Sequence, residues 1–363
     1  MMKYTKEELS LIWLDSFVGL EYKHKIQIYE YLTKSQKISD GLMLAKDYIV
    51  KSVGENEFST MLNSAKQSYL DYVLDELGRR EIVAITIKSK DYPHKLNDIE
   101  LKPLVLYAKG NLKLLQTKTF AIVGSRKSLP LSISIAKDYA STLSKHFTLV
   151  TGIAEGVDSE VIKSALSTTK NIISVIAGGF DNIYPSTNKD LFERVCKEGL
   201  ALSEHPPMIT PRPYHFPIRN RIIAGLSKGV LIVSAGKKSG TLYTAEYACE
   251  YSKDLFAVPY SVGVASGEGT NDLIKRGAIL TDNVNDILEF YSLDSNDELE
   301  DLSQAEKDIL KALSSGATHI EKLSMELNKS TYELMATLSI LEIKGVIVKS
   351  GNVYGLVRNY SED

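Results

Sequence analysis

The chain has 363 residues, 44% hydrophobic and 25% charged, as in a soluble globular protein of two or three domains. With 46 acids against 43 Lys and Arg the net charge is −3, which argues against a histone-like arm. The 23 Gly and 10 Pro exclude a collagen-like or low-complexity chain.

Residues 1–78 read as an N-terminal helical domain. Leu9, Ile12, Trp13, Phe17 and Leu20 recur close to the 3.6-residue period, and Lys25–Leu32 and Leu62–Leu77 are further helices, the last stopped by Gly78. Residues 79–292 alternate short β-rich runs with helical stretches. The runs are Ile82–Ile87, Phe120–Val123, Leu149–Val150, Ile172–Ile176, Val230–Val233 and Leu255–Val258. Helices are expected near Leu129–Lys145, Asp158–Leu166, Asn188–Lys197, Arg221–Leu226 and Thr241–Tyr251. That order predicts an α/β domain with a mostly parallel sheet covered on both faces. Residues 293–302 are an acidic linker. Residues 303–363 read as three helices, Gln304–Leu313, Ile320–Leu327 and Tyr332–Ile343, then two strands around a Gly-containing turn, a winged-helix-like domain.

The charges are segregated. Leu101–Lys137 and His205–Ala245 hold 13 bases and no acid. A buried sheet core loses charges of both signs, whereas these stretches lost only acids, which favours an anionic ligand. Four glycine loops follow strands on the edge where parallel sheets bind ligands. Gly124-Ser125-Arg126 offers a close backbone approach, a hydroxyl and a guanidinium fork; the bland reading is a turn with an exposed Arg. Gly152 and Gly156 repeat the arrangement, with Asp158 as a helix-start brace. Gly178 and Gly179 precede Phe180, which is expected either to stack on a nucleobase or to fold into the core. Lys237, Lys238, Ser239, Gly240 and Thr241 open a further helix. Arg219, Asn220 and Arg221 follow Pro217; the two arginines cannot share a helical face, so one of them is structural.

Absences narrow the chemistry. The Gly-x4-Gly-Lys-Ser/Thr loop fails, because the earlier Gly falls on Leu231, and no Gly-x-Gly-x-x-Gly appears in the four loops. No metal-ligand spacing and no nucleophile elbow is found, so neither cofactor nor metal is expected; His205 and His215 are taken as structural. Cys196 and Cys249 suit buried positions and cannot form a disulfide framework. The start lacks an apolar signal core and no apolar run nears the ~18 residues of a membrane span, so a cytoplasmic protein without membrane contact is expected.

Taken together, the loops resemble the DprA (Smf) family of bacterial DNA-processing proteins. The matching segments are Gly124–Arg126, Thr151–Asp158, Gly178–Pro185 with Asn188, Phe216–Ser227, Ser239–Ala245 and Gly269–Ala278, across roughly residues 91–290. The resemblance implies an extended Rossmann-like domain that binds single-stranded DNA. It also implies a homodimer that brings RecA recombinase onto incoming strands during natural transformation and clears single-strand-binding protein. The family is not known as an enzyme. Its DNA pocket maps here onto Ser125, Arg126, Gly179 and Phe180. The N-terminal helices resemble the family's helical domain only loosely. Tyr260 departs from the usual Val-Pro-Gly and bears on that loop's shape.

The expected mechanism places phosphates on amides near Gly124, Gly152, Gly179 and Gly240, pairs Arg126 with one, and stacks a base on Phe180. Lys237, Lys238, Arg219 and Arg221 widen the field, without strong sequence preference. The alternatives are a phosphoribohydrolase-type enzyme and a nucleotide sensor on the same fold. Against the enzyme, this chain lacks the glutamate that such enzymes place just after the Gly-Thr helix start: Gly240-Thr241 is followed by Leu242-Tyr243-Thr244, and Glu246 comes late. The third helix of the tail carries few bases, which favours a protein contact over major-groove reading there.

Overall fold

A capping box starts the first described helix: Thr5 Oγ1 accepts from the Glu8 N–H at 3.3 Å, and the Glu8 carboxylate accepts from the Thr5 N–H at 2.7 Å. The computed structural model describes residues 4–17, 19–293, 303–314, 316, 318–343 and 346–356. The chain divides into two compact units, Met1–Leu280 and Thr281–Asp363. The linker candidate Asp294–Asp301 lies outside the described residues.

In the first unit, six helices precede the sheet: α1 (Lys6–Asp15), α2 (Tyr22–Thr33), α3 (Ile38–Leu44), α4 (Lys46–Val53), α5 (Glu55–Ser64) and α6 (Gln67–Arg79). Leu11, Trp13, Ile28, Leu32 and Leu42 of these helices share one apolar cluster with Ile82, Ala84, Val105 and Tyr107. Trp13 is fully buried, and its indole N–H donates to the Ser64 carbonyl at 3.2 Å. The helices therefore close over one edge of the sheet instead of forming a separate core.

The sheet has nine strands among the described residues: β1 (Val83–Thr86), β2 (Val105–Gly110), β3 (Thr119–Gly124), β4 (Thr148–Thr151), β5 (Ile172–Val175), β6 (Leu200–Ser203), β7 (Gly229–Ser234), β8 (Asp254–Ala257) and β9 (Ile279–Leu280). Their order is β1-β2-β6-β5-β4-β3-β7-β8-β9. The run from β6 to β9 is parallel throughout; β2 pairs antiparallel with both β1 and β6. Helices α7 (Pro130–Leu143), α8 (Val157–Thr168), α9 (Lys189–Glu198), α10 (His215–Leu226), α11 (Leu242–Glu250) and α12 (Glu268–Lys275) connect the parallel strands. Ala121 and Val123 of β3 cluster with Ile222 and Ile223 of α10 and Ala245 of α11. The alternate residues Phe120 and Ile122 are fully buried as well, so both faces are covered.

Tyr260 is accommodated by its neighbours. Its hydroxyl donates to the Val233 carbonyl at 2.9 Å and lies 2.8 Å from Ser132 Oγ, and its ring fills the space a side chain at Gly267 would need.

In the second unit, α13 (Asn285–Phe290) is followed by α14 (Gln304–Leu313), α15 (Ile320–Leu327) and α16 (Thr331–Ile343). Strands β10 (Thr318–His319), β11 (Ile347–Ser350) and β12 (Val353–Leu356) form an antiparallel sheet in the order β10-β12-β11. Leu310, Leu313, Leu323, Leu334, Leu338 and Tyr354 make its core, the winged-helix arrangement. Helix α16 carries Glu333 and Glu342 and no base. Among the described residues no helix is long and apolar enough to cross a membrane.

Candidate functional site

The chain order reverses between β3 and β7, which lie side by side although β4, β5 and β6 intervene in sequence. In a parallel sheet a crevice opens outside the carboxyl ends of two such strands. The loops beyond them are laced together: the Ser125 N–H donates to Ser234 Oγ and Ser125 Oγ donates to the Ser234 carbonyl, both at 3.2 Å. The Asn220 amide donates to the Gly240 carbonyl at 3.3 Å and so ties α10 to the loop before α11.

A cleft of about 970 Å3 opens here. Of the anticipated residues, Gly124, Ser125, Arg126, Arg219, Asn220, Lys238, Ser239, Gly240 and Thr241 line it. Its charged lining is Arg126, Lys127, Arg219 and Lys238 against the single acid Asp158. Two of these bases come from each acid-free stretch of the sequence.

Arg126 is exposed, and its guanidinium lies over the Phe216 ring at 5.1 Å from the centroid. Tyr184 meets the same ring edge-on at 5.6 Å. Arg219 is only 7% exposed. Its Nε donates to Asn220 Oδ1 at 3.1 Å, and its Nη1 donates to the Val175 carbonyl. Burial lowers this guanidinium to a pKa of about 10, against the opposing pull of Asp158, so it stays charged at neutral pH. The Asp158 carboxyl is pushed above its usual range by burial, with Arg219 and the Ala154 N–H pulling the other way. Asp158 accepts from that N–H at 3.3 Å and braces the loop.

Other anticipated residues stand elsewhere. Phe180, expected as a stacking platform, packs on Phe192 with ring centroids 5.7 Å apart and joins the cluster under the N-terminal helices. Arg221 is corrected to a structural role: it is 4% exposed, donates twice to the Glu204 carboxylate at 2.6 and 2.9 Å, and also donates to the Leu101 and Ile218 carbonyls. Burial pushes Glu204 up, but Arg221 overcomes it and holds the carboxyl below its usual range. Gly179 cannot offer its amide to a phosphate, because that N–H already donates to the Ile209 carbonyl at 2.7 Å. Gly178 packs against Pro211, and Gly152 lies under Asp158 and Arg219. Gly156, at φ +81°, lets α8 start against the Ser125 and Arg126 carbonyls and does not line the cleft. Lys237 is exposed outside it, 3.8 Å from Glu268.

Sequence reading missed Phe216 and Tyr184 as cleft aromatics. The available signal was the place of Phe216 inside an acid-free stretch, three residues before Arg219. His205 and His215 stack at 4.4 Å, and the Arg212 N–H donates to His215 Nδ1 at 3.2 Å. Among the described residues no group of three or more His, Cys, Asp or Glu is placed to hold a metal.

Comparison with known proteins adds to this geometry. The family model "DNA recombination-mediator protein A" matches residues 83–292, and that of the "DprA winged helix domain" matches 294–351. The DNA processing protein DprA of Bacillus subtilis is 37% identical over 235 residues, covering 64% of this chain and 79% of that protein. The Streptococcus pneumoniae DprA is 38% identical over 197 residues, covering 54% and 70%. The X-ray structure of the pneumococcal protein superposes with a TM-score of 0.67 at 30% identity, covering 79% of this chain and 98% of that one. A Helicobacter pylori DNA processing protein A structure, described for its single-stranded DNA binding mode, gives 0.54 at 30% identity, covering 58% and 95%.

Proposed function

The chain belongs to the DNA recombination-mediator protein A (DprA) family, and from that premise we propose that its cleft binds single-stranded DNA. The observation that carries the reading is Arg126: an exposed cation at the mouth of a cleft with four bases and one buried acid, paired with no carboxylate among the described residues. Phosphates are drawn to Arg126, Lys127 and Lys238, with Arg219 supplying charge from the floor. The base platform is Phe216 with Tyr184, which takes the role anticipated for Phe180. Splayed bases of a single strand reach these rings, whereas the bases of a duplex stay stacked on one another.

The reading is of binding and not catalysis. Thr244, not Glu246, faces the cleft, and Asp158 is engaged in bracing a loop. Further along the same reading, the bound strand passes to RecA recombinase, single-strand-binding protein is displaced, and the chain acts as a cytoplasmic homodimer in natural transformation. The family's recombination-mediator description supports that extension, and RecA filament formation on protein-coated strands tests it. The test of the core reading is fluorescence anisotropy with one oligonucleotide, single-stranded and annealed. Tighter binding of the single strand supports it; equal or preferred binding of the duplex contradicts it.

A further inference from the structure

Beside the main cleft lies a recess of about 50 Å3, which shares Arg126, Tyr184, Phe216 and Arg219 with it. Its charged lining is Arg126 and Arg219 with one acid, Glu155. Glu155, which does not line the main cleft, lines the recess. Thr187 Oγ1 donates to Glu155 Oε1 at 2.8 Å and holds the carboxylate, leaving Oε2 with no protein donor among the described residues. Ala177 adds an apolar surface.

Size and charge decide what enters. One water needs roughly 10–15 Å3 of such space, so the recess takes the edge of a base and not a whole nucleotide. Arg126 and Arg219 offset the charge of Glu155, so size keeps a nucleotide out, while an N–H donor is drawn to the open Oε2. Arg219 lines the same recess; its Nε and Nη1 donate to Asn220 and Val175, and Nη2 has no protein acceptor among the described residues. A base that stacks on Phe216 from the cleft therefore meets one acceptor and one donor at its edge.

We propose that this recess reads a base edge and selects guanine, with Glu155 as the specificity-determining residue. Guanine presents O6 as acceptor beside two donors, N1–H and the 2-amino group, which match an arginine beside a carboxylate. Thymine presents one N–H flanked by two carbonyl oxygens, which a carboxylate repels. Cytosine and adenine each present a single amino group. The proposal rests on the single-strand reading above and replaces indifference to sequence with a preference at one nucleotide position.

The test uses the full chain and thymidine oligonucleotides of one length, with every fourth base left as thymine, replaced by guanine, or replaced by hypoxanthine, which lacks the 2-amino group. Anisotropy is measured at one salt concentration for the wild type, Glu155→Gln and Arg126→Ala. The expected result is that the guanine strand binds the wild type about tenfold more tightly than the thymine strand. Hypoxanthine loses most of that gain, and Glu155→Gln brings the three strands to within about twofold of one another. Glu155 is exposed, so its replacement leaves the fold intact. Equal binding of guanine and thymine strands by the wild type, or an undiminished preference in Glu155→Gln, overturns the proposal and leaves strand binding standing. Hypoxanthine equal to guanine overturns the 2-amino contact. Failure of every strand to bind, with Arg126→Ala no different, overturns the strand-binding reading itself.

Discussion

The Arg126 guanidinium rests on the Phe216 ring, 5.1 Å from its centroid, at the mouth of the cleft. The ring positions the cation without neutralising it. Among the described residues no carboxylate pairs with Arg126, so a phosphate meets a full charge and displaces no ion pair. On the proposed reading the two side chains serve the two parts of a nucleotide, and their substitutions should separate on salt dependence.

Phe216→Ala removes a stacking surface and no charge. Single-strand affinity should fall by about 1–3 kcal/mol while the slope of log affinity against log salt stays unchanged. Phe180→Ala should leave affinity intact and lower stability, because that ring packs on Phe192. Anisotropy beside urea unfolding checks both; loss of affinity in the Phe180 variant alone would restore it as the platform.

Glu204→Ala leaves the Arg221 guanidinium buried without its partner. Stability should drop by about 3–5 kcal/mol, read from urea or thermal unfolding. The salt slope of strand binding in the folded variant should match the wild type, since Arg221 does not line the cleft.

Two glycines should behave oppositely. A Cβ at Gly179 would lie 2.2 Å from the backbone oxygens of both Pro206 and Pro207, which no rotamer change relieves. Gly179→Ala should therefore cost about 1–3 kcal/mol or more. Nothing lies within 4 Å of a Cβ at Gly240, so Gly240→Ala should melt with the wild type. Thermal unfolding of the pair checks the contrast.

The stacked imidazoles make stability pH-dependent. Burial holds both His205 and His215 below the usual value of 6.5, and the neighbouring Glu204 opposes the shift without reversing it. Burial thus favours the neutral rings in the fold, while the unfolded chain takes up protons near 6.5. Their contribution is complete above that pH and is lost as pH falls through the folded values. The urea midpoint should fall between about pH 7.5 and about pH 5.5, and less steeply in His205→Gln. An equal fall in both would remove the imidazoles from the account.

Much of the fold is legible in the chain. Phe120–Val123 and Val230–Val233 are short apolar runs bounded by turn residues, and both are strands buried on two faces. Strand β6 was hidden because Leu200-Ala201-Leu202 follows a helix with only Gly199 between. Leu62–Leu77 reads as one helix, yet the chain breaks at Ala65-Lys66, where neither Gly nor Pro signals a stop. Helix α10 begins at His215, six residues before the Arg221 start expected from sequence, and Tyr214 ahead of it provides no side-chain cap. In the site, loss of acids marked both segments that bring cations to the cleft. Which loop aromatic faces the cleft was not legible. Phe180 is held by Phe192 and Phe216 lies under Arg126, contacts between residues distant in sequence that local pattern does not encode.

The most direct measurement is a salt titration of single-strand binding, with wild type beside Arg126→Ala. Affinity should fall for every sequence, and the slope should flatten by about 0.7, the value for one phosphate contact on a single strand. A variant with the wild-type slope would place Arg126 outside the interface and contradict the account.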